Sequence, residues 1–298
     1  MTRIGIIGGG RGATLHAEAV RATRGATLSG VGGRPSSEHG GTAAMLADAV
    51  GVAEMTLDEL VAASDGLVVA VPPAAVGDVV ARVPTEMALV VECPAADLGD
   101  RPQAMTAANL LHAPAVTRGL RAIEDLGHVH HLVLRGRGPR PTWGAHGTAA
   151  WGGGVMLDPH ATTLPVLLAA AGSGVSAMTG TVDGPAGLES AVRLRFSLAD
   201  GREAAAELAW SDDDLLVELE AASDRGVVTI RLMPSPAVEL DGRPVAADPD
   251  PPLVALGFVA QMDRFAGVVR GERTAWPPLG VGAALRGLAA SLPDVRSG

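Results

Sequence analysis

Along the first part of the chain, short apolar runs alternate with stretches of helical spacing. Arg3–Gly8 and Ala26–Val31 read as strands. Gly66–Val71 and Ala88–Glu92 are two more, rich in Val and Leu with little polar alternation, the pattern of strands in a parallel sheet covered on both faces. Thr14–Ala22 and Thr42–Ala49 carry helical spacing, and Thr56-x-x-Glu59 reads as a capping box that opens the helix before Ser64. Strands alternating with helices imply βαβ units and a doubly wound sheet.

Beyond about residue 120 the pattern changes. His128–Leu134, Ala191–Leu198, Glu203–Trp210, Leu215–Glu220 and Val227–Leu232 follow as candidate strands, with Asp200-Gly201 and Asp224-Arg225-Gly226 as turns. Val192, Leu194 and Phe196 face one way and Arg193, Arg195 and Ser197 the other, as in an antiparallel sheet with one apolar face. Helical segments are expected at Asp158–Ala171, Pro252–Val269 and Gly280–Ala290, with Pro277-Pro278 as a break. The expected fold class is α/β: an N-terminal doubly wound parallel sheet over 1–118, then an α+β domain over 119–298 with a large open antiparallel sheet. The C-terminal helices within 252–292 are candidates to pack back on the first domain.

Composition narrows the chemistry. A chain of 298 residues, 47% hydrophobic and 19% charged, buries about three quarters of its unfolded surface and needs no disulfide or metal staple. All 23 basic residues are arginine, so every mechanism that needs a lysine as Schiff base, proton donor or general base is excluded. A net charge of −10 argues against a nucleic-acid partner, whose binding runs on a basic footprint. Arg135–Arg140, the most basic stretch, has no interleaved aromatics and reads as a solvated strand end. The single Cys93 forms no internal disulfide and fits a reducing cytosol. The N-terminal apolar run is too short for a signal peptide. Leu67–Val76, the longest apolar stretch, contains two prolines and falls short of the ~18 residues of a membrane span. A cytoplasmic protein without a membrane partner is expected.

Gly8-Gly9-Gly10-Arg11-Gly12-Ala13 supplies G-x-G-x-x-A directly after a predicted strand and before a predicted helix. The first Gly permits a tight turn, and the second lets backbone amides approach a pyrophosphate. The small third residue lets the helix pack on the strand with its N-terminus toward the anion. At the end of the second strand a carboxylate usually receives the ribose 2′-hydroxyl of NAD. Here Gly33-Arg34-Pro35-Ser36-Ser37 stands instead, with no acid before Glu38. A guanidinium with neighbouring hydroxyls suits a 2′-phosphate, so NADP is the expected cofactor, with NAD as the alternative if Arg34 stacks on adenine or points to solvent.

Several stretches together make the chain resemble the Gfo/Idh/MocA oxidoreductase family along most of its length. They are the GIIGGGRG loop followed by His16, Val69–Val76 (VAVPPAAV), Glu92–Ala96 (ECPAA), Gly152–Gly172, and the closing FVAQMDRFAGVVRGERTAWPP. The resemblance implies an N-terminal Rossmann domain, a C-terminal sheet domain, and a homodimer or homotetramer formed through the open sheet. It places Gly8, Gly10, Arg11, Gly12, Gly33, Arg34, Ser36, Val71, Pro72, Pro73, Glu92 and Cys93 around the cofactor. The departures from the pattern are informative. Where the family's sugar dehydrogenases carry Glu-Lys-Pro, this chain has Glu92-Cys93-Pro94. Where they carry Asp-x-x-x-His, it has Asp158 with Thr162 at the histidine position and His160 two residues earlier.

Alcohol oxidation needs a base for the hydroxyl proton, whereas reducing an imine or conjugated double bond can draw a proton from water or a weakly placed donor. The expectation is therefore an NADP(H)-dependent reductase of a small-molecule ketone, imine or conjugated double bond in specialised metabolism. The alternatives are a redox-silent cofactor-binding homologue and an internally redox-cycling lyase. His160 is the first candidate for general acid, although a two-residue displacement turns it by about 200° on a regular helix. Asp158 orients a substrate or caps the helix. Cys93 is a catalytic candidate by position and a small apolar filler by chemistry. His112 is a possible donor beside the substrate. His128 and His130 share one strand face and His131 the other, with no Cys or carboxylate at ligand spacing, so no metal site is expected. His146, between Trp143 and Trp151 on a glycine-rich loop, either shapes the substrate end or stands at the surface.

Overall fold

The Val- and Ile-rich runs fold as buried strands connected by short helices. The computed structural model describes residues 1–33, 43–92, 98–141, 154–155, 163–184, 188–247 and 251–277. They form two units: Met1–Asn109 with the segment beginning at Phe258, and Leu110–Gly257.

In the first unit the elements are β1 (Thr2–Ile7), α1 (Arg11–Ala22), β2 (Ala26–Gly32), α2 (Ala43–Val50), β3 (Glu54–Met55), α3 (Leu57–Ala63), β4 (Gly66–Val69), α4 (Pro73–Val80), β5 (Ala88–Glu92) and β6 (Ala104–Ala107). They give a six-stranded sheet in the order β3-β2-β1-β4-β5-β6, with every pair parallel. Strand order reverses between β1 and β4, and in such sheets ligands bind at the strand carboxyl ends beside this switch point. The capping box is present: the Thr56 hydroxyl accepts from the Glu59 amide at 3.3 Å, and the Thr56 amide donates to Glu59 Oε2 at 2.8 Å. Strand β4 stops at Val69, short of the expected Val71, because Pro72 and Pro73 open α4. Proline suits the first turn of a helix and cannot donate to a sheet ladder.

At the opposite edge of the sheet, Arg3 holds Asp65 with its guanidinium at 2.6 Å and its amide at 2.8 Å. The Arg3 side-chain bond, seconded by the amide, keeps the Asp65 carboxyl below the usual carboxylate range. A group with a lowered folded-state pKa stabilises the fold above its unfolded value, and that contribution is lost as pH falls through the folded value. Asp65→Asn should therefore lower Tm at neutral pH, and the gap to the natural protein should close in acid. A Tm difference that stays constant into strong acid would contradict this.

The second unit comprises α5 (Pro114–Leu126), β7 (His131–Gly138), α6 (Leu164–Ala171), β8 (Val175–Asp183), β9 (Ala191–Leu198), β10 (Glu203–Trp210), β11 (Leu216–Ser223), β12 (Gly226–Met233), β13 (Ala237–Leu240), β14 (Arg243–Ala247) and α7 (Pro252–Ala255). The sheet order is β14-β13-β12-β11-β7-β10-β9-β8. It is mixed rather than purely antiparallel: β7 and β10 run parallel, because the chain leaves β7, makes α6 and returns through β8 and β9 before pairing with it. Val192, Leu194 and Phe196 are buried while Arg193, Arg195 and Ser197 are exposed, as the alternation predicts. On the apolar side Gly119 of α5 lies so close to β12 that an added Cβ would sit 2.6 Å from Ile230. On the other side the register sets Arg193, Glu207, Arg135, Glu218 and Arg231 side by side across five strands. Opposite charges in facing positions stabilise a sheet by about 0.2–1 kcal/mol per pair and leave this face polar.

Two expectations differ from the structure, the start of β7 and the helix over 252–269. Strand β7 starts at His131, so His128 and His130 precede it and share no strand face. The basic stretch is a solvated strand end as expected, with Arg135, Arg137 and Arg140 exposed, and the Arg140 guanidinium lies 4.7 Å over the Trp210 ring. The expected helix Pro252–Val269 is two, since Leu256-Gly257 intervenes and Gly257 takes φ +81°. The second of them, α8 (Phe258–Val269), belongs to the first unit and packs on α1, β1 and β5. Gly280–Ala290 and the start of the Asp158–Ala171 helix lie outside the described residues. No described helix is long and apolar enough to cross a membrane.

Candidate functional site

Between β1 and α1 the backbone makes a turn that only glycine accommodates. Gly8 adopts φ +136°, and a Cβ there would lie 2.2 Å from the Ala70 carbonyl oxygen. Neither neighbour is free to yield. The Gly8 amide donates to Gly32 O and the Ala70 amide to Ile7 O, each at 2.8 Å, so the turn is tied to β2 and β4 at once. Gly10 is the N-cap of α1, in extended conformation and without a side-chain cap, and the first turn of the helix holds no acidic residue. The first amides of a helix have no partner within it and attract an anion. A Cβ added at Gly10 would meet no described residue within 4 Å. A clamped turn before a helix start that has no side-chain cap and no acidic residue in its first turn fits the pyrophosphate of a dinucleotide.

The rim of the turn is built from neighbouring strand ends. Arg11 is exposed on the first turn of α1. Gly33 follows β2, where a Cβ would come within 2.9 Å of Ala43, so the small residue lets α2 start close to the strand. Val71 and Pro73 are half-buried and Pro72 exposed at the end of β4. A Cβ at Gly12 would lie 3.1 Å from Oε1 of Glu92, which ends β5. The described members of the predicted cofactor set in this unit thus gather at the carboxyl edge of the parallel sheet.

One participant in this arrangement is not in the predicted set. His16 of α1 is fully buried, and its Nε2 lies 2.7 Å from Oε1 of Glu92. Its ring also meets Phe258 edge to face at 5.4 Å. A buried histidine on a helix face looks like core in a sequence, and its partner is 76 positions away. Only the spacing of His16 behind the glycine loop could have marked it.

The remaining candidates are not brought together by the described residues. His112 closes a short 3₁₀ turn, Asn109–His112, and is half-buried in the second unit. Arg34, Ser36, Cys93, Asp158 and His160, with His146 and its flanking tryptophans, lie outside the described residues. His131 pairs with Glu220 at 3.1 Å and His130 stands 3.7 Å from Asp224. Among the described residues no three metal-ligating side chains cluster.

No family model matches the sequence, and no curated protein matches it. Solved structures match the fold. GenD2 from gentamicin A biosynthesis, in complex with NAD, is 18% identical over 98% of this chain and 93% of its own, with a TM-score of 0.78. A myo-inositol dehydrogenase from Corynebacterium glutamicum ATCC 13032 is 20% identical over 98% and 95%, with a TM-score of 0.77. Levoglucosan dehydrogenase, in complex with NADH and L-sorbose, is 14% identical over 99% of both chains, with a TM-score of 0.79. In fold, this chain matches these dehydrogenase structures along nearly its whole length.

Proposed function

We propose that this chain is a nicotinamide-dependent oxidoreductase acting on a small molecule, and that it prefers NADP(H). In this reading it reduces a ketone, imine or conjugated double bond in specialised metabolism. The observation that carries the proposal is the turn at Gly8, whose φ of +136° and contact with Ala70 admit no side chain, set before the uncapped start of α1. Two fold neighbours, GenD2 in complex with NAD and levoglucosan dehydrogenase in complex with NADH, support the same cofactor class.

A bound nicotinamide would supply or accept the hydride. The chain's part is to bind and orient it, and to place a proton donor. Gly8, Gly10, Arg11 and Gly12 hold the phosphates, while Gly33, Val71, Pro72, Pro73 and Glu92 form the rim. Arg34 and Ser36 receive the 2′-phosphate, since a guanidinium and a hydroxyl both donate to phosphate oxygens. His160 is the proton donor, Asp158 and His112 orient substrate, and Cys93 stands where the family's lysine would act. The polar open face of the second sheet serves contacts between copies of the chain in the cytoplasm.

The test is a panel of ketones, imines and conjugated alkenes offered with NADPH, followed by nicotinamide absorbance. The expected result is turnover of at least one class. His160→Ala should lower kcat by about 10²–10⁴-fold, the worth of a positioned acid, with NADPH affinity unchanged. Saturable NADPH binding with no turnover on any class would favour the redox-silent alternative, and unchanged kcat in the variant would remove His160 from its role.

A further inference from the structure

His16 is costly for a core residue. The other buried positions of α1 are Ala13, Ala17, Ala19 and Val20, and the ring could be replaced by an apolar side chain without losing the packing on Phe258. The imidazole instead brings a buried Nδ1 that has no hydrogen-bond partner among the described residues. Leaving such an atom unsatisfied costs the fold its full desolvation penalty. What the ring obtains is the 2.7 Å bond from Nε2 to Glu92. A carboxylate only accepts, so the nitrogen facing it carries the hydrogen, and His16 is the donor.

Glu92 is not itself a core group. Its side chain is 31% exposed, and Oε1 is held close over Gly12 in the first turn of α1. A long flexible carboxylate at a strand end would otherwise sample several rotamers, and ordering such a side chain costs conformational entropy. The bond from a rigid, fully buried ring removes that freedom before any ligand arrives. One oxygen is committed to His16, and the other has no partner among the described residues.

We propose that His16 is a positioning residue for the cofactor site, fixing the Glu92 carboxylate against the start of α1 so that its second oxygen can accept from a donor group of the bound dinucleotide. This rests on the reading of the site as a nicotinamide-cofactor site. The helix that carries the phosphate-binding amides therefore also carries, one turn further on, the group that orients the carboxylate beside them.

Equilibrium titration with NADPH and thermal unfolding of the ligand-free protein test this on His16→Leu, Glu92→Ala, the double variant and His16→Gln. His16→Leu keeps apolar packing without a donor and is expected to weaken NADPH binding about tenfold while Tm stays level or rises. Glu92→Ala should weaken binding similarly, and the double variant no further than the weaker single, since paired residues do not act additively. His16→Gln places an amide N–H near the Nε2 position and should recover affinity to within about threefold of the natural protein. Additive losses, or affinities that follow Tm across the four variants, would overturn the inference. Unchanged binding in His16→Leu would overturn it alone, whereas a natural protein that binds neither NADPH nor NADH would remove the proposed function together with it.

Discussion

Gly8→Val should weaken NADPH binding by at least about 100-fold, or 2.7 kcal/mol, and should also lower folding stability by about 1–3 kcal/mol, the usual cost of a strained backbone position. Both effects have one source. A Cβ at Gly8 meets a backbone oxygen at 2.2 Å, and the amides of Gly8 and Ala70 are already committed to Gly32 and Ile7. The turn must move, taking the first amides of α1 with it. Gly10→Ala supplies the contrast, because its Cβ meets no described residue within 4 Å. There Tm should change little while NADPH affinity falls about tenfold or more, since the space belongs to the ligand. Titration calorimetry and thermal unfolding on the two variants separate a glycine kept for the fold from one kept for the site. Equal losses of Tm in both would contradict that division.

Phe265→Ala should be the most destabilising single change in the first unit away from the site. Phe265 is fully buried in α8, and its ring stands 2.9 Å from where a Cβ on Gly66 would be. The sheet has dispensed with a side chain at β4 to admit it. Truncating a buried phenylalanine costs about 3–5 kcal/mol. For a unit of this size that is a fall of roughly 10 °C in Tm. Because α8 packs on α1 and β1, the affected transition is the one that NADPH should protect. A change of less than about 1 kcal/mol in chemical denaturation would show that α8 is peripheral.

How far the sequence disclosed these features depends on whether each rests on local pattern. The buried parallel strands were legible because helices on both faces make them apolar throughout, and β5 has the predicted bounds. The capping box was legible because its chemistry is contained in four residues, Thr56 to Glu59. Strand β9 was legible from strict alternation. Elements defined by distant partners were not. Strand β3 is two residues long and exists only by pairing with β2. Strand β8 is an edge strand whose inward face, Met178, Gly180 and Val182, is only half-buried and carries a weak apolar alternation. The parallel pairing of β7 with β10 depends on a return of the chain that alternation does not encode.

The site divides along the same line. Its glycines stand in one short motif between a strand and a helix and are legible there. The bond between His16 and Glu92 joins two elements far apart in sequence, and nothing near either residue announces the other. Leu256-Gly257 is a further case, where a left-handed glycine ended what the apolar spacing continued.

Binding of a nicotinamide dinucleotide at the carboxyl edge of the first sheet is tested most directly by calorimetric titration of the natural protein with NADPH and, separately, with NADH. The expected result is saturable one-to-one binding of NADPH, with NADH weaker. Absence of saturable binding by either cofactor would contradict it.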